Sequence, residues 1–183
     1  MKSVLISIRP EWVWKITRDE KTIEVRKTAP KEVPFKAYIY MTKKKPCMLT
    51  FAGNGKMRVH NGMVIGEFIC DKVDEYTFSH YEAEYRVTHV QQEAMFLNQP
   101  ELIQYGKGKT LYGWHITDLK IYDKPKELSE FNRPCPSVNH NCEHCITYGK
   151  PYQWDFDEEA GKIFCTRRIT RPPQSWCYVE EKQ

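Results

Sequence analysis

The sequence predicts a mainly β, α+β fold: a small curved sheet or barrel with short helices, one of which packs at its mouth. Five or six segments have strand patterning, and they are scattered among short helical segments. Because strands and helices do not alternate regularly, a doubly wound sheet is disfavoured. The length of 183 residues fits one domain over residues 1–183, within which residues 132–170 form a cysteine-rich insertion.

Apolar periodicity and turn residues define the predicted elements. Val4–Ile8 has the period of two of a buried strand, and Pro10 suits the first turn of a helix. The predicted strands cover residues 4–8, 21–27, 36–42, 63–70, 111–122 and 175–180, and residues 50–62 form a loop or hairpin turn. Helices are predicted over residues 10–18 and 88–97, with a shorter one after Pro100, whereas residues 132–174 show little periodicity.

Composition excludes the membrane-spanning, collagen-like and coiled-coil classes. The hydrophobic fraction of 40% is enough for a core, and 28% of the residues are charged. No run approaches the ~18 apolar residues of a transmembrane helix. The apolar stretch Val4–Ile8 is too short and too alternating for a signal peptide. We therefore expect a cytoplasmic protein without a membrane partner.

The charge balance is modest, since 28 Lys and Arg stand against 24 Asp and Glu, a net charge of +4. A strongly basic nucleic-acid binder would carry a larger excess, so any contact with nucleic acid must come from a local patch. One short cluster is formed by Lys43, Lys44 and Lys45. It is either a solvated strand end or a source of non-specific attraction for phosphate.

One carboxylate and two cations lie at the start of the second predicted strand. On a strand Glu24 and Arg26 point the same way, while Lys21 lies beside the turn and can reach either face. Arg26 would then form an ion pair with Glu24, or both residues would bind a polar ligand. In the second case Arg26 would contact a phosphate or a base edge, and Glu24 would accept a hydrogen bond from an amino group. The alternative is a charged solvent face, whose pairs contribute ~0–1 kcal/mol.

The segment Asp19–Arg26 resembles the signature of the ASCH family, Gly-x-Lys-x-x-Glu-x-Arg. Lys21, Glu24 and Arg26 fall on the three charged positions. Asp19 replaces the glycine, and Asp tolerates a left-handed turn. Further segments also resemble family members: the N-terminal strand, the helix with Trp12, Gly66–Phe68 and Leu111–Ile116. The segment Arg171–Trp176 resembles phage and prophage members. The resemblance covers about residues 1–130 and the final strand.

This resemblance implies a PUA-like β-barrel and an association with RNA binding. Some small members of the family hydrolyse the N4-acetyl amide of acetylated cytidine. Those enzymes carry a hydroxyl residue at the position that Glu24 occupies here, so this sequence departs from their pattern.

Two further residues are candidates for ligand contact. Glu67 stands among Met63, Ile65 and Ile69, where a buried carboxylate is costly unless it is paired. We predict that its carboxylate is at least partly screened from water and faces the same cavity as Lys21. The alternative is a wet carboxylate on a half-buried face. Trp14 lies off the apolar stripe of its helix, so we expect it to be exposed and able to stack on a base.

The C-terminal third holds a cysteine cluster with metal-ligand spacing. Its Cys-x-x-Cys pair has a single thiol on either side, and four thiolates complete a tetrahedral zinc site: Cys135, Cys142, Cys145 and Cys165. His140 and His144 are alternative ligands. Such a site would be structural, because it is closed and would stabilise a segment without a core. The alternative is a set of free thiols in a loop.

Three functions are compatible with these residues. The first is binding of RNA, DNA or a modified nucleotide by Lys21, Glu24, Arg26, Glu67 and Trp14. The second is an amidohydrolase acting on an N4-acylated cytidine-type nucleoside, with Lys21 and Glu24 as catalytic residues; it requires a lowered pKa at Lys21. The third is a phage accessory protein that binds a host protein through residues 132–174.

We predict that the four cysteines bind zinc. Protein purified without chelator should contain about one zinc ion per chain, because the four thiolates form one tetrahedral site. Elemental analysis measures this content. A zinc content near zero would contradict the prediction.

Overall fold

The computed structural model describes residues 1–47, 49–51, 57–134, 154–157, 162–165 and 168–181. The strands of these residues are β1 (Lys2–Ile8), β2 (Ile23–Arg26), β3 (Phe35–Met41), β4 (Leu49–Phe51), β5 (Met57–Val59), β6 (Val64–Cys70), β7 (Val73–Tyr76), β8 (Phe78–Ser79), β9 (Glu84–Tyr85), β10 (Leu111–His115), β11 (Thr117–Lys126), β12 (Phe131–Asn132), β13 (Trp154–Asp157), β14 (Lys162–Cys165) and β15 (Trp176–Glu181). The helices are α1 (Pro10–Ile16), α2 (His89–Met95) and α3 (Gln99–Gly106), with a 3-10 turn over Leu128–Glu130. Among the described helices none is long and apolar enough to cross a membrane.

A six-stranded sheet forms the main layer, in the order β11-β6-β3-β1-β15-β12. β1 and β3 run parallel and pair in register from Lys2 opposite Phe35 to Ile8 opposite Met41. The other pairs of this sheet are antiparallel. β1 lies inside the sheet and is buried on both faces from Val4 onward, which explains why its apolar residues Val4, Leu5, Ile6 and Ile8 do not fall on one face only.

A second sheet of three strands, in the order β2-β10-β7, packs against the first. Trp114 on β10 is fully buried and contacts the Phe35 ring edge-on, with ring centroids 5.0 Å apart. Ile23 and Val25 point from the other face of β2 into a smaller core with residues of α2 and α3. The interior between the two sheets is therefore the main core, to which α1 contributes Val13 and Ile16, and α2 and α3 cover the outside of the second sheet.

The strand predicted over 111–122 is two strands that belong to different sheets. β10 ends at His115, and β11 begins at Thr117. The N–H of Ile116 donates to the carbonyl of Thr22 at 2.9 Å and anchors the corner. The chain passes from one sheet to the other at this point. Apolar periodicity does not reveal such a change of partner.

A β-bulge in β6 changes which residues share a face. Ile39 pairs with Gly66 and Tyr40 pairs with Val64, so Ile65 is the extra residue. Ile65 therefore joins the core between the sheets, whereas Glu67 lies opposite Tyr38 on the other face. The predicted grouping of Glu67 with Ile65 on one face is wrong, because strict alternation holds only where the register does not shift.

Two other differences concern short strands that were not predicted. β7, β8, β9 and β12 were not predicted, because they are two to four residues long. Within the region predicted to lack periodic structure, β13 and β14 form an antiparallel pair. The mixed α+β class with most elements in strands is confirmed.

Glu67 lies on the face of the main sheet that is turned away from the core between the two sheets. Its carboxylate accepts hydrogen bonds from Tyr122 and from Lys36, the latter at 3.1 Å, and its side chain is 19% exposed. Burial by itself would raise the pKa of Glu67, but these two donors hold it below the usual value. The ionised carboxylate therefore stabilises the fold above about pH 4.3, and this contribution is lost as the pH falls through the lowered folded-state pKa.

We predict that Glu67→Gln lowers the free energy of unfolding by about 1–3 kcal/mol near neutral pH. The difference from the wild type should shrink at acidic pH, as the pH falls through the lowered folded-state pKa of Glu67 and its carboxylate becomes protonated. Urea unfolding at both pH values measures it. Glu32→Gln is the control, since Glu32 pairs with Lys2 in solvent and should leave stability unchanged. A difference that is independent of pH would refute the assignment.

Candidate functional site

The turn before β2 places Lys21 at the site. Asp19 has a φ of 57°, the left-handed conformation expected from its position. The backbone N–H groups of Glu20 and Lys21 both donate to the carbonyl of Lys15, at 3.0 and 3.3 Å, so the chain turns back directly after α1. Lys21 then enters the interior instead of the solvent, and its residue is 2% exposed.

Glu24 and Arg26 project from the same face of β2, as predicted. Their partners across the ladder are Trp114 and Tyr112 of β10, which belong to the core between the two sheets. Residues paired across an antiparallel ladder share a face. The two charged side chains therefore point between the sheets, and both are buried, at 5% and 8% exposure.

The Lys21 ammonium has three neighbours. It donates a hydrogen bond to the Met95 carbonyl at the end of α2, at 2.5 Å, and lies 5.2 Å from the centroid of the Trp12 ring. Its third neighbour is Glu24, with 3.5 Å between Lys21 Nζ and Glu24 Oε2. Burial lowers the pKa of Lys21 from its usual value, and the Glu24 carboxylate opposes this shift.

Glu24 lies between two cations and orients the second. Its Oε1 atom is 3.0 Å from Arg26 Nη2, and that nitrogen also donates to the Ser7 carbonyl at 2.7 Å. Glu24 Oε2 and Arg26 Nε are buried and have no hydrogen-bond partner among the described residues. The strand carbonyl and the carboxylate thus both fix the guanidinium group through its Nη2 atom.

The three charged residues lie at the wall of an open cleft of about 1390 Å³. Of the described residues that line it, seven are cationic and three are carboxylates, so positive charge prevails. The cations are Arg9, Lys21, Arg26, Lys43, Lys44, Arg168 and Arg171, and the carboxylates are Glu24, Glu101 and Glu127. Because Glu24 is already enclosed by two of the cations, the exposed part of the cleft attracts anions.

Two aromatic side chains stand at the same cleft. Trp12 projects from α1 and is half-buried, and Tyr105 projects from α3 and is 36% exposed. The Tyr105 ring lies below Lys27 Nζ, 5.0 Å from its centroid, and burial raises the pKa of its hydroxyl. Their faces offer apolar surface beside the cationic groups.

The segment 168–175 forms the opposite wall of the cleft, and it was missed by sequence reasoning. Ser7 holds it at two points: its hydroxyl donates to the Pro173 carbonyl at 2.7 Å, and its N–H donates to the Ser175 carbonyl at 2.9 Å. Arg168 and Arg171 reach the cleft from this segment. Their separation of more than 140 residues from Arg26 hides this proximity in the sequence.

Glu67 and Trp14, the two other predicted ligand-contact residues, lie away from this cleft. Glu67 is screened from water as expected, but it binds Lys36 and Tyr122 on the other face of the main sheet and is not among the cleft-lining residues. Trp14 is exposed as expected, at 50%, and stacks with Arg18 on the solvent side of α1.

The predicted zinc ligands Cys135, Cys142 and Cys145 lie outside the described residues, as do His140 and His144. Cys165 is the last residue of β14, and its backbone pairs with Trp154. The zinc site and the host-protein surface over residues 132–174 therefore stay predictions. Cys70, Cys177 and Cys47 are free thiols.

Three solved structures of one bacterial protein share this arrangement of sheets. The ASCH protein from Zymomonas mobilis is 17% identical to this chain, with a TM-score of 0.53, and the match covers 98% of this chain and 88% of that protein. Its Tyr-to-Phe variant matches at 16% identity with a TM-score of 0.54, over 98% and 91% of the two chains. Its Ser-to-Ala variant matches at 16% identity with a TM-score of 0.56, over 98% and 89%.

The chain has the fold of an ASCH domain. The predicted PUA-like barrel with short helices is thereby confirmed. At this level of identity the likeness concerns the fold alone. No protein-family model and no curated protein matches the sequence. Within the ASCH fold, β2 and its turn supply the charged residues of the cleft.

We predict that Glu24→Gln destabilises the protein more than Lys21→Met does. Loss of the Glu24 charge leaves two buried cations without a counter-charge, which costs about 3–5 kcal/mol. Lys21→Met costs less, because Glu24 keeps Arg26 at 3.0 Å and methionine carries no desolvation penalty. Urea unfolding near neutral pH measures both.

The double variant Lys21→Met/Glu24→Gln is the control for coupling. It should lose less stability than the sum of the two single changes, because the groups contact each other. If Lys21→Met were as costly as Glu24→Gln, Glu24 would not be the group that compensates both cations.

Proposed function

We propose that the cleft binds a phosphate-bearing nucleotide ligand, with RNA as its macromolecular source. The observation that carries this proposal is the buried Arg26, which is oriented by Glu24 and Ser7 in a cleft whose exposed groups are mainly cationic. ASCH and PUA-like proteins as a group are linked to RNA binding, and this chain has their fold.

Arg26 is the central contact in this proposal. A guanidinium group presents donors in a fixed plane and matches phosphate oxygens in a bidentate manner. The bonds to Glu24 and to the Ser7 carbonyl hold that plane before a ligand arrives. Less conformational entropy is then lost on binding. Lys21 adds positive charge to the same wall of the cleft.

Glu24 acts in the proposal by holding Arg26. Its Oε1 atom is occupied by Arg26, and its buried Oε2 atom faces Lys21. An amino group of a ligand would have to displace the Lys21 ammonium to reach that oxygen. The geometry therefore favours a positioning role for Glu24 over the recognition of an amino group.

Trp12 and Tyr105 supply surfaces for the base. Stacking of an unpaired base on an aromatic ring contributes about 1–3 kcal/mol and tolerates any base. Both rings belong to the cleft lining, together with the exposed Arg9 and Arg171. A single-stranded segment can place its phosphates on the cations and its bases on the rings, whereas a duplex keeps its bases stacked on one another.

A second candidate function is supported by one observation, the lowered pKa of Lys21. An amidohydrolase acting on an N4-acylated cytidine-type nucleoside needs a lysine that is neutral near pH 7 to act as a base. Burial provides the direction of this shift, and the nearby Arg26 reinforces it. Against catalysis, the Lys21 ammonium is already engaged by the Met95 carbonyl.

A cytoplasmic location and a phage origin stay predictions.

We predict that Arg26→Ala weakens binding of labelled single-stranded RNA by about 1–3 kcal/mol at fixed salt, the size of a bidentate contact. Arg171→Ala should weaken it as well. Because Arg171 is exposed, this change does not disturb a buried pair. Fluorescence titration measures both affinities, and far-UV circular dichroism checks the fold.

Arg18→Ala is the matched control, because Arg18 is exposed in the turn after α1 and does not line the cleft. Its affinity for RNA should equal that of the wild type. Equal affinities of the wild type, Arg26→Ala and Arg171→Ala would refute the binding role of the cleft.

A separate assay decides between binding and hydrolysis. We expect no release of acetate from N4-acetylcytidine by the wild type, because Lys21 is engaged by Met95 and Glu24. Release that is lost in Lys21→Met would instead establish the amidohydrolase. Lys124→Met serves as the control, since Lys124 is exposed and does not line the cleft.

A further inference from the structure

A group of cations stands at the rim of the cleft, apart from Arg26. β1 ends at Ile8 and β3 ends at Met41, and these two residues are partners in the parallel pair. Because parallel strands end at the same edge of a sheet, the residues that follow them lie close together. Arg9 follows β1, and Lys43 and Lys44 follow β3; all three line the cleft.

The loop that carries the two lysines is held by Asn61. The side-chain amide of Asn61 donates to the carbonyls of Thr42, Lys44 and Pro46, at 3.3, 2.6 and 3.2 Å. These bonds fix the backbone on both sides of Lys43. The lysine run is therefore a shaped loop and not merely a solvated strand end.

Gly62 lets Lys43 lie across the chain at this rim. Gly62 has a φ of +88°, and a Cβ atom there would stand 2.8 Å from Lys43 Cε. A side chain at this position would push Lys43 aside. Lys45, in the same loop, is exposed but does not line the cleft. Two of the three lysines are thus directed to the cleft, and the third is not.

The rim cations and Arg26 occupy different positions along the cleft. Arg26 binds the carbonyl of Ser7, whose partner in β3 is Tyr40. Lys43 and Lys44 lie beyond Met41, where β3 ends, and Arg9 lies directly after β1. Arg26 is buried, whereas these three cations are exposed. The cleft therefore presents Arg26 on its buried wall and a separate group of cations at its exposed rim.

We infer that Arg9, Lys43 and Lys44 form a second phosphate subsite, so that the cleft takes an oligonucleotide and not a free nucleotide. This inference rests on the proposed function, in which Arg26 binds the first phosphate. Inorganic polyphosphate shares the chemistry of consecutive phosphates. The aromatic faces of Trp12 and Tyr105 in the same cleft favour the nucleotide source, because aromatic rings can stack on bases.

The test compares two ligands on the full chain: uridine monophosphate and an oligouridylate of about eight nucleotides. The double variant Lys43→Ala/Lys44→Ala should bind the oligonucleotide about three- to tenfold more weakly, and the slope of log affinity against log salt should fall by about 2. Its affinity for the mononucleotide should not change. Lys45→Ala, the control from the same loop, should behave as the wild type.

Each other outcome contradicts a defined part of the inference. If Lys43→Ala/Lys44→Ala weakened binding of both ligands equally, the cleft would have one shared phosphate position. If it did not weaken binding of the oligonucleotide, or if Lys45→Ala weakened it to the same extent, there would be no rim subsite. If Arg26→Ala affected neither ligand while Lys43→Ala/Lys44→Ala affected the oligonucleotide, the proposed function of the Arg26 position would fail and the rim would remain. Inorganic polyphosphate that binds as tightly as the oligonucleotide would overturn the assignment to a nucleotide chain. Absence of binding to every ligand would overturn both proposals.

Discussion

The carboxylate of Glu24 between the Lys21 ammonium and the Arg26 guanidinium is the interaction on which the site depends. All three groups are nearly inaccessible to water, and each would be costly to bury alone. Glu24 compensates both cations at once, at 3.5 and 3.0 Å. The carbonyls of Met95 and Ser7 take the remaining contacts and thereby tie β2 to α2 and to the central strand β1. The same bonds that make burial tolerable also fix the orientation of Arg26.

This arrangement explains why the cleft lies where it does. The interior between the two sheets is filled by Trp114 and its neighbours, so the charged face of β2 meets an apolar core on one side. On the other side lies the edge at which the parallel strands β1 and β3 end together. The segment 168–175, held by Ser7, closes the opposite wall. Cations from separate parts of the chain therefore face the same cleft. In our proposal a single strand fits this cleft better than a duplex, because its bases are free to stack on the aromatic rings.

Several of these features follow from the sequence, and the reason can be given for each. Glu24 and Arg26 were identified because a two-residue spacing on a strand places side chains on one face. Lys21 was identified because it lies beside the turn, in which Asp19 adopts the left-handed conformation that its position requires. The place of Glu67 was not predictable, since the bulge at Ile65 shifts the register without a sequence signal. Arg168 and Arg171 were missed because only the tertiary fold brings them opposite β2.

The most direct test of the account is a nuclear magnetic resonance titration that follows the side-chain N–H signals of arginine and tryptophan as single-stranded RNA is added. We expect the Arg26 Nε–H and Trp12 indole signals to shift first, together with that of Arg171, because these groups line the cleft. The signals of Arg18 and Trp14, on the solvent side of α1, should stay in place. Shifts confined to Arg18 and Trp14, with Arg26 and Trp12 unchanged, would contradict the central claim that the ligand binds in this cleft.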